Sequence, residues 1–452
     1  MNKGLRISAL LLSAAASVQA GAVTVSFDSS TGQKPVEIIP EKSTGLDRIY
    51  VVPAVEGLKM TIDTGSAVRP VVSRYSTLGG GYAEVTEDFV FSGTSAVFQS
   101  PQGDMGYIVE SEGKRFYFWL TDYSAHRFSV SSIEPSDEAD CMSITLDVEG
   151  NGSPIHYYGI SGRQMVLSRG IILEYNTLEW DSGLSSYNYV HKEQEIESFG
   201  TSIVVTPPPF CNTEFRISGD RFSETWGDSQ HAVSREYITQ AVDAETSAEQ
   251  LNVSSDDKSN QIGSDDESGL GGSAPALIRF SAQTTDAVIH DEWQIARDSE
   301  FEYIDYRFNE KEIEYDFREE GRFFVRYVGS NSDGSCTVVS ETYEVNIGAS
   351  ELVCPNAFSP GASEGVNDEW KVSYRSLVEF KCWIFDRYGT EMYHFENPDL
   401  GWDGRYRGKL VKPGVYFYVI EALGADGKKY KKSGDINILN FKHGTGYNTD
   451  EN

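Results

Sequence analysis

The chain has 452 residues, 39% of them hydrophobic, and a formal charge of −31 at pH 7. That length exceeds one small domain and suits three or four, each with a core. The acidic excess argues against binding nucleic-acid phosphates or an anionic lipid surface, both of which need Lys and Arg faces; self-repulsion that favours solubility is the simplest reading.

The charge is uneven. Residues 351–442 carry 13 Lys+Arg and 13 Asp+Glu, whereas residues 1–350 carry 25 against 54. The N-terminus reads as an export signal over 1–20: Lys3 and Arg6, an apolar run from Ile7 to Val18, and small-residue cleavage after Ala20. The run is too short and alanine-rich to span a bilayer, and no later stretch is long enough for a transmembrane helix.

A polar, proline-dotted leader follows. From Leu46 the pattern is short strands bounded by turns: Asp47–Val52, Leu58–Ile62, Gly106–Val109, Arg115–Leu120 and His126–Val130, with glycine turns at Gly65 and Gly79–Gly81. Such spacing predicts a sandwich over 21–132. A second strand set, from Cys141–Val148 to Thr201–Thr206, predicts another over 133–207, closed by the stiff Pro207-Pro208-Pro209. The third domain is placed at 208–348. Its stretch 241–274 has no aromatic residue and eight acids against one lysine, a disordered composition, and is read as a loop inside the domain. Residues 349–442 form the last block, and 443–452 a frayed tail.

Five cysteines favour disulfides in an exported chain. Cys211 on the first strand after the prolines and Cys336 on the last strand of the third domain are expected to pair. Cys354 and Cys382 form the second expected pair, Cys382 lying inward with Val378, Phe380 and Ile384 by alternation, and Cys141 is left as a buried thiol.

Candidate chemistry is sparse. Asp63-Thr64-Gly65-Ser66 matches an aspartic-protease loop, but that chemistry needs a second carboxylate and the motif occurs once; a tight turn is the plainer reading. Gly227-Asp228-Ser229 lacks the partners of a serine esterase. The acidic stretch around Asp256-Asp257 and Asp265-Asp266-Glu267 lacks the ligand spacing of a calcium loop. The histidines show no i,i+4 pair and there is no Cys-x-x-Cys, so no metal ligand, cofactor or catalytic residue is assigned. Trp119, Trp180 and Trp293 are candidates for stacking on sugars, though such residues more often serve cores.

The last block holds the chain's most specific motifs: Pro355-Asn356-Ala357-Phe358-Ser359-Pro360, Phe385-Asp386-Arg387-Tyr388-Gly389, Gly401-Trp402-Asp403-Gly404, Pro413-Gly414-Val415-Tyr416 and Lys431-Lys432-Ser433-Gly434-Asp435. Asp426-Gly427 between two strands is a strong hairpin signal. In these motifs and their order the block resembles the gliding-motility-associated C-terminal domain, the type B sorting domain of the bacterial type IX secretion pathway. The loop Ala362–Asp368 departs from the family's acidic, glycine-rich pattern, which removes support for a metal there. The resemblance implies a small Ig-like sandwich recognised by the outer-membrane translocon, with a PorP/SprF-like barrel as a further partner. The strand–turn–strand Tyr315–Val325 makes 208–348 similar to PKD-like domains. The combined expectation is an all-β chain of tandem Ig-like and PKD-like sandwiches, exported to the cell surface or medium. It acts there without catalysis as spacer or adhesive module on a protein or glycan. The rival readings are a hydrolase using Asp63 and a glycan-binding surface protein.

Overall fold

The computed structural model describes residues 23–78, 81–137, 140–197, 199–252, 260–262, 269–361 and 367–439. The signal segment 1–20, the glycines at 79–80, Asp256, Asp257, Asp265, Asp266 and Glu267, the loop residues 362–366 and the tail 443–452 lie outside them. The described chain is almost wholly β, with one α-helix, Arg221–Thr225. It divides into two compact units: residues up to Thr177 with Val190–Ile238, and Leu178–Tyr189 with the chain from Thr239 onward.

The first unit opens with a sandwich. A four-stranded sheet built on Thr24–Asp28, Lys59–Asp63 and Ser95–Phe98 faces a six-stranded sheet. In the latter, Lys114–Asp122 runs parallel to Arg48–Val52 and antiparallel to Met105–Ser111. Alternation along Lys114–Asp122 sends Phe118 and Leu120 into the core between the sheets, beside Met60, Ile62 and Tyr107. Trp119 on the opposite face is also buried, because the hairpin Ile155–Tyr158/Gln164–Leu167 covers it. That second buried face explains why Arg115–Leu120 reads as a nearly continuous apolar run.

The second sandwich packs Ser129–Pro135, Ile144–Asn151 and Ser202–Val205 against Ile171–Asp181, Ser186–Ile196, Arg216–Gly219 and Gln230–Val233. Two of these strands follow the prolines, so the expected boundary at 207 is corrected. Arg216–Gly219 pairs with Ile171–Asp181, and Phe215 and Ile217 enter the second core. The proline run is a connection inside the sandwich, and Cys211 is buried there.

In the second unit, Ala276–Thr284 is flanked by Ala244–Gln250 and Glu312–Phe317, opposite a sheet centred on Gly321–Ser330. Trp293 and Phe280 are in its core. Two parts of the stretch expected to be disordered are ordered: Ala244–Gln250 is an edge strand, and Leu270–Gly272 runs parallel to Tyr343–Ile347. Backbone pairing, with Ala244, Ala248 and Leu270 packed on the core, orders segments whose composition is otherwise small and polar.

The last domain is a five-stranded sheet in the order Ala357–Phe358, Lys429–Ile438, Gly414–Gly424, Leu377–Phe385, Glu391–Phe395, with a small sheet of Glu351–Val353 and Ser373–Arg375. A register shift between Leu377 and Glu379 takes Val378 off the inner face that Phe380, Cys382 and Ile384 keep, and Val378 packs against the preceding core. The domain is fastened to its neighbour at Ser376. Its amide donates to Ser273 Oγ at 2.7 Å, and its hydroxyl donates to Gly348 O at 2.6 Å.

The expected disulfides are corrected. The half-cystines are Cys141 and Cys336, whereas Cys354 and Cys382 carry thiols and Cys211 is a buried thiol. Cys211 belongs to the second sandwich, so the premise that it opens Cys336's domain fails.

Candidate functional site

The motifs of residues 355–435 converge on one domain, and most of them build its frame. Trp370 and Trp402 are both fully buried and exchange backbone hydrogen bonds of 2.9 and 3.0 Å. Trp370 Nε1 donates to Pro355 O at 2.7 Å, which fixes the opening motif, and Asn437 N donates to Asn356 O at 2.9 Å. Phe358 lies 5.7 Å from the Trp402 ring and Tyr416 5.2 Å from it, so three motifs share one aromatic cluster. Pro360 borders Gly404, whose φ is +74°; a Cβ there would meet Pro360 Cγ at 3.2 Å and Phe358 Cζ at 3.3 Å. Asp403 accepts from Arg405 N at 2.9 Å and shapes the turn between the two glycines 401 and 404. Gly434 is required by close approach, because a Cβ would sit 2.7 Å from the Tyr418 hydroxyl. Asp435 accepts from Asn437 Nδ2 at 2.8 Å.

Two motifs stand at the surface. Asp386 accepts from the amides of Tyr388 (2.8 Å) and Thr390 (2.9 Å), and these bonds hold its carboxyl below the usual carboxylate range. The turn needs Gly389 at φ +82° and presents Tyr388 to solvent, with the Arg387 guanidinium 4.8 Å from its ring centroid. Pro413 and Gly414 are exposed at the start of the central strand.

That strand creates the domain's most unusual surface. Val415, Phe417 and Val419 alternate with buried positions and point outward, 46%, 43% and 40% exposed. Register places Phe417 opposite Phe385 and Val419 opposite Trp383. The Trp383 ring stacks on His394 at 5.1 Å. Further along, the same face turns charged: Glu421 stands between Lys381 and Lys431, with Lys431 Nζ 3.5 Å from its carboxylate. An antiparallel sheet with one solvated face normally carries polar side chains there; here the apolar row is bordered on its other side by Ser433, Asp435 and Asn437. The lysines around the Asp426-Gly427 hairpin divide: Lys432 Nζ donates to Leu352 O at 2.5 Å, Lys428 lies over the Tyr430 ring, and Lys429 is exposed. This face is not legible in the residue pattern because its aromatics read equally well as core.

On the inner side, burial pushes the Cys382 thiol far above its ordinary pKa, and Cys354 is shifted the same way. Burial also pushes the Tyr418 hydroxyl up to about 12.

The other candidates are spread through the chain. Asp63 ends the strand Lys59–Asp63, and its carboxylate accepts from Gly65 N at 2.9 Å, the plainer turn reading. Gly227 (φ +82°) terminates the short helix, with Asp228 N bonded to Ser223 O at 2.9 Å. Trp119 and Trp293 are core residues, and Trp180 packs on Tyr187 at 5.3 Å. One cluster escaped sequence reading. Glu174, His191 and Glu193 bring their ligand atoms within 4.8 Å of one another across neighbouring strands. Arg216 Nε lies 3.4 Å from Glu174 and supplies countercharge, and His191 Nδ1 faces Asn176 Oδ1 at 3.1 Å.

Residues 352–438 match the family model of the CHU_C type IX secretion signal domain, and residues 132–234 match a fibronectin type III domain model. The second match spans the prolines, as the observed sandwich does. No curated protein matches the chain. Among solved structures, a tetra-tandem repeat from the extending region of a large adhesion protein is 11% identical, covering 93% of this chain and all of that one, with a TM-score of 0.24. The chicken CNTN1 FN1–FN3 domains are 13% identical over 69% of this chain and 99% of that one, TM-score 0.23. A Ca2+-stabilized adhesin that helps an Antarctic bacterium bind ice is 13% identical over 93% and 99%, TM-score 0.19. Likeness at this level carries no functional argument. The C-terminal match marks the chain for export to the cell surface or extracellular space, and no helix among the described residues is long and apolar enough to cross a membrane.

Proposed function

We propose that this is a non-catalytic surface protein: the C-terminal domain directs passage through the type IX translocon, and the sandwiches before it act as spacer and adhesive modules. The observation that carries the reading is the pairing, in one domain, of a motif-built frame with an outward apolar row, Val415, Phe417 and Val419 beside Trp383. The motif residues Pro355, Asn356, Phe358, Pro360, Gly401, Trp402, Asp403, Gly404, Tyr416 and Gly434 serve to keep that sheet rigid. Arg387, Gly389, Pro413, Gly414 and Asp435 shape its rim. The outward row is the face offered to the secretion machinery, with an outer-membrane barrel of the PorP/SprF-like kind as a further partner there. A protein or glycan remains the proposed ligand of the upstream domains.

The hydrolase reading has less behind it, since Asp63 spends its carboxylate on the Gly65 amide. Deleting residues 349–452 from the gene in a type IX-competent host tests the proposal. Accumulation of the truncated chain inside the cell envelope is expected, and surface display at the full-length level would sink it. Peptidase activity at low pH that disappears in Asp63→Asn would revive the rival.

A further inference from the structure

The acidic stretch between Gln250 and Leu270 has no role in the reading above, yet its described middle is firmly engaged. Asn260–Ile262 lies along Ser373–Arg375 of the C-terminal domain, more than a hundred residues away in sequence, with Gln261 bridged in parallel to Tyr374. Two backbone hydrogen bonds close the bridge: Tyr374 N donates to Asn260 O at 3.1 Å, and Ile262 N donates to Tyr374 O at 2.6 Å. The Asn260 side chain adds two more, donating from Nδ2 to Val372 O at 2.5 Å and to Pro398 O at 2.7 Å. On its other edge Ser373–Arg375 pairs with Glu351–Val353. The short segment therefore adds a one-residue bridge to the two-stranded sheet and covers Tyr374 on what would otherwise be an open strand edge, a liability for unwanted pairing. This is the geometry by which an extended peptide adds to a sheet, with backbone bonds holding it and a side chain setting its register. An asparagine amide suits the task because its two N–H groups reach two carbonyls at once.

We propose that the edge Ser373–Arg375 is a strand-addition site for an extended, asparagine-bearing peptide, and that its occupant is this chain's own Asn260–Ile262, which makes the acidic stretch a clasp between the third domain and the C-terminal one. Both ends of the stretch are anchored in the third domain, by Ala244–Gln250 and by Leu270–Gly272. Closing the clasp therefore ties the C-terminal domain to its carrier at a further place, besides the contacts at Ser376–Ser273, Glu320–Ala425 and Arg318–Val378. The composition of the stretch fits: a strap that engages through backbone and one amide needs few apolar side chains. The proposal stands whether or not the C-terminal domain is a secretion signal.

Hydrogen exchange on the full-length protein, read at peptides covering 370–376, tests it. Ile262→Pro removes one donor of the bridge, and Asn260→Ala removes both side-chain bonds. In wild type the Tyr374 amide is expected to be protected. Loss of that protection by about an order of magnitude in either variant, with exchange in Gly414–Gly424 unchanged as a control for folding, supports the clasp. An unprotected Tyr374 amide in wild type, or unchanged protection in both variants, overturns it.

Discussion

At the residue scale the chain's least negotiable position is a buried ion pair in the first unit. Arg169 and Asp220 are both fully buried, with Arg169 Nη2 2.7 Å from Asp220 Oδ2. Every remaining polar atom finds a partner: Arg169 donates to Ser153 O and His126 O, and Asp220 Oδ1 accepts from the Tyr123 hydroxyl at 2.8 Å and from Ser223 N at 2.9 Å. Asp220 thus caps the helix Arg221–Thr225 and neutralises the guanidinium with one carboxylate. Removing either partner strands the other in a dry interior, which costs about 3–5 kcal/mol. Asp220→Ala is expected to lower the urea-unfolding stability of the first unit by that amount. The double variant Arg169→Ala/Asp220→Ala should cost much less than the sum of the single changes, because each alone already breaks the pair. Additive costs would show that the two groups act independently.

At the element scale the turns carry testable chemistry. The Asp386–Gly389 turn joins Leu377–Phe385 to Glu391–Phe395, and the bonds Asp386 accepts from Thr390 N and Tyr388 N depress its pKa. A carboxyl whose folded pKa lies below its unfolded value of about 3.9 stabilises the fold above that pH, and the contribution fades as pH falls through the folded value. Thermal midpoints of wild type and Asp386→Asn should therefore differ most near neutrality and converge on acidification below about pH 4. A constant offset across pH would assign the effect to packing. The hairpin at Asp426-Gly427 was legible from sequence alone, since Gly427 supplies the positive φ the turn requires. So were Trp402 and Phe358 as parts of an ordered motif. The prolines at 207–209 misled because stiffness marks a connection without saying whether two domains or two strands flank it. The strand Ala244–Gln250 was hidden because an edge strand of small and acidic residues has the composition of a loop; its pairing with Ala276–Thr284 lies in the backbone.

At the scale of the whole molecule, cysteine arithmetic failed because it sought partners on the first and last strands of one domain, whereas Cys211 belongs to the second sandwich and the half-cystines are Cys141 and Cys336. The outward row of the last sheet was equally hidden, because alternation predicts two faces without naming the wet one. That row carries the proposal that export depends on a surface and not only on a folded domain. Phe417 and Val419 are 43% and 40% exposed, so charged replacements should leave the domain folded at a cost of about 1–2 kcal/mol from lost cross-strand contacts and the Asp435 carboxylate opposite position 417. The most direct test is surface display of the double variant Phe417→Glu/Val419→Glu, measured by protease accessibility on intact cells and paired with a melting curve of the purified protein. A folded variant with a modestly lowered melting temperature and display strongly reduced is expected. A folded variant displayed as well as wild type would contradict it.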